Sequence, residues 1–246
     1  MERISEKDID WLLKPNHEFD YDRELREERV QKLSLKRKLI RGGLWVLLIL
    51  ALGILPFFLL IKTSIYLNIQ QGLNSWISLI GGIGATITIL LLYIVLLFRK
   101  VENKKLLMKF SVGGVAALVG GFCLYALLYL SSVNAKSDSV KEVYRSLHPI
   151  LRVGVATTTL AEGDLVITDI KRSVEDYAKM GLSANQGSLH FPQEDGFVHA
   201  IDLRTKGHSE IRNVLLSYSL KLMGFQTLRH IGSADHLHIS LPVSID

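Results

Sequence analysis

The sequence predicts an α+β protein in two parts. A three-helix transmembrane region comes first, followed by a small extracytoplasmic domain with a mostly antiparallel sheet and flanking helices. Three observations predict it. The first half holds three long uncharged apolar runs, the second half mixes strand-like and helix-like patterns, and basic residues crowd only some run ends.

The apolar runs are Leu44 to Ile61, Trp76 to Phe98 and Phe110 to Leu130. Each approaches or exceeds the roughly 20 residues needed to cross a hydrocarbon core. Pro56 and the glycines are compatible with helices there, because membrane spans tolerate both. Three buried helices of a large soluble core are the alternative, and the absence of any charge argues against them. The lipid bilayer is therefore the first partner expected, with residues 44–130 forming the membrane region.

Arg29, Lys32, Lys36, Arg37, Lys38 and Arg41 precede the first run. Arg99, Lys100, Lys104, Lys105 and Lys109 lie between the second and third, whereas Lys62 is alone between the first and second. Basic loops stay cytoplasmic. The segment 1–43 is thus predicted on the cytoplasmic side of a bacterial inner or plasma membrane, and the chain after residue 130 on the far side. The first run lies too deep in the chain for a signal peptide and is expected to be retained. The net charge of +5 is largely these flanks, so no nucleic-acid partner is expected. The single cysteine, Cys123, lies in the third run. That excludes an intrachain disulfide and a cysteine-based metal site in the soluble part.

Before the first run, HEFDYDRELREERVQKLSLKRK reads either as a helix on the membrane surface or as a solvated helix. After the third, SSVNAKSDS is a polar connector. The outer domain, about 135–246, is long enough to fold with a modest core. VKEVYRSL reads as a helix up to the His148–Pro149 break, with a helix or loop beyond. LVITDI, Leu165 to Ile170, reads as a strand. RSVEDYAKMG reads as a helix stopped by Gly181. FVHAIDLR is strand-like. SEIRNVLLSYSLKLMG is the clearest helix: Ile211, Val214, Leu215, Tyr218 and Leu222 form an apolar stripe, and Gly224 ends it. HLHISLPV is the last strand, with His236 and His238 on one face.

A catalytic zinc normally takes three protein ligands and leaves one position for water. The outer domain supplies His190, His199 and Asp202 in one cluster and Asp235, His236 and His238 in another. Two like-facing imidazoles on a strand can share one cleft.

These elements, Ser188-Leu189-His190, Ala200-Ile201-Asp202 and Asp235-His236-Leu237-His238, resemble the zinc D,D-peptidases of the LAS superfamily. That group cuts peptidoglycan stem peptides, and the paired histidines are similar to its Hedgehog-like relatives. The resemblance covers most of the outer domain and says nothing of the apolar runs. It implies a zinc cofactor held by His190, Asp202 and His238. It also implies Asp235 as the group that takes and returns a proton, and Arg172 near the substrate carbonyl or carboxylate. Ser188, His199 and His236 fall to a supporting or substrate-lining role. The implied activity is a membrane-anchored hydrolase of stem peptides, a D,D-carboxypeptidase or endopeptidase.

The sequence departs from that pattern. Eleven residues separate His190 from Asp202, more than usual, and Val198 stands where a glycine is usual. FPQED reads as a loop insertion. The competing assignment makes His199 the ligand. In a regular strand His199 and Asp202 point to opposite faces, which favours His190, although a bulge reverses that parity. Asp235 is one methylene shorter than the glutamate common in the family. A zinc-containing or cell-wall-binding module without turnover, set in a membrane assembly, is therefore the alternative function. The stretches GGIGA and GGVAALVGG suit close helix packing, within the chain, in a homo-oligomer or against a membrane protein partner.

Overall fold

A computed structural model of the chain describes residues 17–101, 103–179, 181, 183, 187–232 and 235–242. The charged segment before residue 17 lies outside the described residues. Helix α1 is His17–Ile65, α2 Ser75–Leu97 and α3 Lys104–Leu128. All three are long and apolar enough to cross a membrane. The chain divides into two compact units near Gly53. The first holds the basic start of α1, an exposed helix. Everything below concerns the second, from Ile54 on.

There α1 and α2 approach closely because Gly82 has no side chain. A Cβ at Gly82 would fall 2.4 Å from the Leu60 carbonyl oxygen and 2.1 Å from Ser64 Oγ. Small residues let helix backbones meet where lipid leaves little hydrophobic driving force. A five-residue π-helical turn, Tyr66–Gln70, ends α1, and Asn74 caps α2 by accepting the Trp76 N–H at 2.9 Å.

Beyond α3 come α4 (Asp138–Glu142), α5 (Pro149–Ala161), β1 (Ile167–Asp169), α6 (Val174–Lys179), β2 (Ala200–Arg204), α7 (Glu210–Met223), β3 (Gln226–His230) and β4 (His236–Ser240). The predicted break at His148–Pro149 is where α5 begins: His148 is its cap and Pro149 its first residue, a position where the missing N–H costs nothing. The helix read over VKEVYRSL is instead α4 followed by a short 3₁₀ turn, Tyr144–Ser146. Strand β3 was not foreseen.

The four strands form one antiparallel sheet in the order β1-β2-β4-β3. Alternation along each strand gives the sheet two different faces. Ile201, Leu203, Leu237 and Ile239 form an apolar face and are almost wholly buried. Helices α5 and α7 cover it. Phe225, just after α7, presses its ring onto Gly154 of α5, where a Cβ would meet Phe225 Cζ at 2.6 Å. Asn213 of α7 donates to the Thr205 carbonyl at 3.3 Å, and Ser217 meets Thr227 of β3 at 2.8 Å. Asp202 and His238, of opposite parity, occupy the other face.

The apolar stripe of α7 is not its buried face. Asn213, Leu216 and Leu220 point inward, and the stripe points out. Ile211 remains 75% exposed and Leu215 64%. Periodicity marks an apolar face without saying what covers it.

The domain sits on the ends of α2 and α3. Helix C-termini leave carbonyls without intrahelical partners. Tyr144 Oη donates to the Ala126 carbonyl at 2.8 Å, and an Arg152 terminal nitrogen donates to the Leu127 carbonyl at 2.6 Å. Arg152 also stacks over Trp76 and Phe197, 5.9 Å from each ring. Residues of the domain thus take up two of the terminal carbonyls of α3.

Candidate metal centre

His190, Asp202 and His238 converge on the polar face of the sheet. Asp202 on β2 and His238 on β4 are direct cross-strand partners. Asp202 Oδ1 lies 2.9 Å from His238 Nδ1 and 3.4 Å from His190 Nε2, and the two nitrogens are 3.2 Å apart. Tetrahedral zinc with bonds of about 2.0–2.1 Å places its ligand atoms about 3.3 Å from one another. Three protein atoms are therefore spaced as one metal ion would require.

The hydrogen bonding around the three also suits a metal. His190 Nδ1 lies 2.6 Å from the Ile170 carbonyl oxygen. A carbonyl only accepts, so Nδ1 carries the proton and Nε2 presents its lone pair to the centre. This is the outer bond that metal-bound histidines usually make. His190 and Asp202 are buried. Burial opposes ionisation of Asp202, but its neighbours His190 and His238 and the Arg172 charge outweigh it. They hold its carboxyl well below the usual carboxylate range. An ionised, buried carboxylate beside two imidazoles is a donor set for a divalent cation.

Arg172 is brought to this centre. Its guanidinium holds Asp202 Oδ2 through one terminal nitrogen and Asp169 through Nε at 2.6 Å. Its backbone N–H donates to the His190 carbonyl at 3.2 Å. The residue thus orients two of the three ligands and leaves Oδ1 of Asp202 turned to the centre. Ser188 Oγ accepts the His190 N–H at 3.3 Å and steadies the same loop. His236 stands on the face of His238, with Nε2 3.8 Å from Asp202 Oδ2 and its ring stacked on His230.

Asp235 is not brought to the centre. Its carboxylate pairs side-on with Arg229, at 2.8 and 2.9 Å, and accepts from the Thr205 hydroxyl. Arg229 is the cross-strand partner of Leu237, so this group lies on the apolar-face side with α7. Arg229 and Thr205 pull the Asp235 carboxyl down to about 2. One residue before His236, Asp235 has the opposite parity, and its side chain goes to the other face.

His199 belongs to a second group, with His148 and Asp195, whose ring and carboxylate atoms also gather within 4.8 Å. Here the loop FPQED finds its role. Gln193–Gly196 is a tight turn, with Gly196 at φ 79, and it delivers Asp195 to accept from His199 Nε2 at 3.0 Å. This group is set for hydrogen bonding instead of metal. The Ile150 N–H donates to His148 Nδ1 at 3.2 Å, which leaves the proton on Nε2. Nε2 donates to Ser75 Oγ at 2.7 Å, and Ser75 donates onward to Asp195 at 3.3 Å. A metal at Nε2 would force a proton onto Nδ1, against the helix N–H. Burial, and next the neighbouring His199, push the His148 pKa down to about 3. The arrangement is a hydrogen-bonded clasp between the start of α2 and the domain, with His148 its neutral member. The sequence signal for it was the extra acid in the insertion, which places Asp195 four residues before His199.

Beside His238 opens a groove of about 600 Å³, lined by Leu189, Phe225, Thr227 and Leu228 among others. It runs along β3, an edge strand.

Comparison with known proteins finds no matching family model, no matching curated protein and no matching solved structure.

Proposed function

We propose that the protein is a membrane-anchored, zinc-dependent hydrolase whose metal is held by His190 Nε2, Asp202 Oδ1 and His238 Nδ1. The observation that carries this reading is the convergence of those three atoms at tetrahedral spacing, with the His190 proton on its outer nitrogen. A bound zinc ion supplies Lewis acidity and a water of lowered pKa. Arg172 keeps Asp202 ionised and oriented. The groove along β3 offers an extended chain both apolar contacts and the backbone edge of a strand. His236, sharing the His238 face, replaces Asp235 as the residue placed to move a proton.

The substrate class is peptides, and the resemblance of the ligand-bearing elements to zinc D,D-peptidases favours peptidoglycan stem peptides. The basic flanks favour a cytoplasmic N-terminus, which puts the domain on the cell-wall side. The test is cleavage of purified muropeptides by the zinc-loaded full-length chain, read by mass spectrometry. Turnover should vanish in His238→Ala. Turnover by that variant equal to the parent's would end the reading.

A specific observation favours a second reading, a zinc-containing module without turnover. Asp235 is committed to Arg229 and Thr205, so the expected proton carrier is absent from the centre. Stoichiometric zinc without cleavage of any muropeptide would identify that case.

A further inference from the structure

We infer that the exposed apolar stripe of α7 rests on the lipid surface, giving the domain a membrane contact of its own beside the three spanning helices. Exposed large apolar side chains scattered singly need no explanation, but a continuous stripe does. Ile211, Val214, Leu215, Tyr218 and Leu222 recur at helical spacing and are 49–75% exposed. They lie opposite Asn213, Leu216 and Leu220, which anchor α7 to the rest of the domain. The helix is amphipathic toward both sides.

The order of layers says which way the stripe points. Helices α5 and α7 cover the same face of the sheet. The other side of α5 meets the ends of α2 and α3, where Arg152 and Tyr144 hold the terminal carbonyls of α3 and His148 holds Ser75. A helix in the same layer turns its outward face toward the side from which the spans arrive. The end of α7 fixes the height. Gly224 packs against the end of α1: a Cβ there would lie 3.3 Å from Ile65 Cδ1 and 3.6 Å from Lys62 Cδ. The Leu222 end of the stripe thus starts at the boundary where the first span leaves the apolar layer.

The residue types suit that surface. Lys62 and Lys221 flank the Leu222 end and are exposed. Long ammonium side chains lay their stems on apolar surface and reach phosphates. Tyr218 brings an aromatic ring with a polar tip, the kind enriched at membrane–water boundaries. Helices with one apolar and one polar face and modest overall hydrophobicity lie in the plane of that boundary. A second copy of the chain would also cover the stripe, but nothing ties a copy to Lys62 and Ile65, whereas the bilayer begins there. The inference depends on the three helices being spans and is independent of the metal centre.

The test uses the full-length chain in phosphatidylcholine–phosphatidylglycerol vesicles. Leu215→Cys and, as control, Gln226→Cys are labelled with an environment-sensitive fluorophore. Cys123 is buried, so the unsubstituted chain gives the labelling blank. Neither substitution touches the buried face of α7, and unchanged thermal melting verifies the fold. The Leu215 probe should emit at shorter wavelength than the Gln226 probe. Lipids carrying a shallow spin label should quench it at least twofold more, at every protein-to-lipid ratio. Water-like emission at Leu215 overturns the inference. Protection that disappears as protein is diluted in lipid also overturns it and assigns the stripe to a second copy.

Discussion

Asp202 and His238 face each other across the β2–β4 ladder, with Oδ1 2.9 Å from Nδ1. Both sit inside strands, and rigid elements hold metal ligands more accurately than loops do. The third candidate ligand, His190, comes from a loop, where its ring donates to the Ile170 carbonyl and its backbone N–H to Ser188 Oγ.

One zinc per chain is the expected content after purification without chelator. His190→Ala, Asp202→Ala and His238→Ala should each abolish it, while His199→Ala should leave it intact. Elemental analysis, and the visible absorption of tetrahedral cobalt in the same site, check both halves.

Removing Arg172 should weaken the metal without removing a ligand. Loss of an outer-shell partner typically costs about 10–100-fold in metal affinity. Arg172→Lys should recover little, because a single ammonium does not bridge Asp169 and Asp202 as the guanidinium fork does. Competition with a chelator of known affinity measures the change.

Asp235→Asn should lower thermal stability and leave metal content unchanged, since the carboxylate serves Arg229 and Thr205. The sign with pH follows from its lowered pKa. The stabilisation is present above the unfolded carboxyl value of 3.8 and is lost as pH falls toward about 2. Melting curves of parent and variant should therefore converge in strong acid. A loss of zinc in Asp235→Asn would contradict this assignment.

His148 gives the opposite chemistry and a different window. Folded, it stays neutral down to about 3, whereas unfolded it takes a proton near the ordinary histidine value of 6.5. Between those values the unfolded chain binds the extra proton, so stability falls as pH is lowered from 6.5 toward 3. The slope from this group approaches about 1.4 kcal/mol per pH unit. His148→Asn keeps a helix cap and should flatten that slope, as read from melting at pH 7, 6 and 5.

Gly82→Ala should be among the most damaging single substitutions in the helical region, because its Cβ would strike the Leu60 backbone. Over-packing costs about 1–3 kcal/mol, and a backbone clash leaves little room to relax. Gly84→Ala, with nothing within 4 Å, should be neutral. Thermal aggregation in detergent distinguishes the two.

The sequence made the apolar runs, the break at His148–Pro149, the helix end at Gly224, and the strands around Asp202 and His238 legible, because each rests on local pattern. Asp202 and His238 were brought together only by the resemblance, because parity within each strand says nothing of the register between them. The partner of Asp235 was hidden, since it is Arg229 of a strand, QTLRH, whose mixed polarity conceals it. The destination of His199 was equally hidden: it required the turn at Gly196 and the arrival of Ser75 from a distant helix. The outward stripe of α7 shows the same limit, because burial is a property of the layers and not of the helix alone.

The sheet's two faces place the candidate centre at a set height. The span ends carry α5, α5 carries the sheet, and His190, Asp202 and His238 lie on the side turned away from α5. The sheet and α5 therefore stand between the centre and the span ends. The hydrogen bonds from Arg152, Tyr144 and His148 make that pedestal stiff. A centre on so stiff a pedestal would keep one height relative to the span ends, and under the proposed function only material presented at that height would reach it.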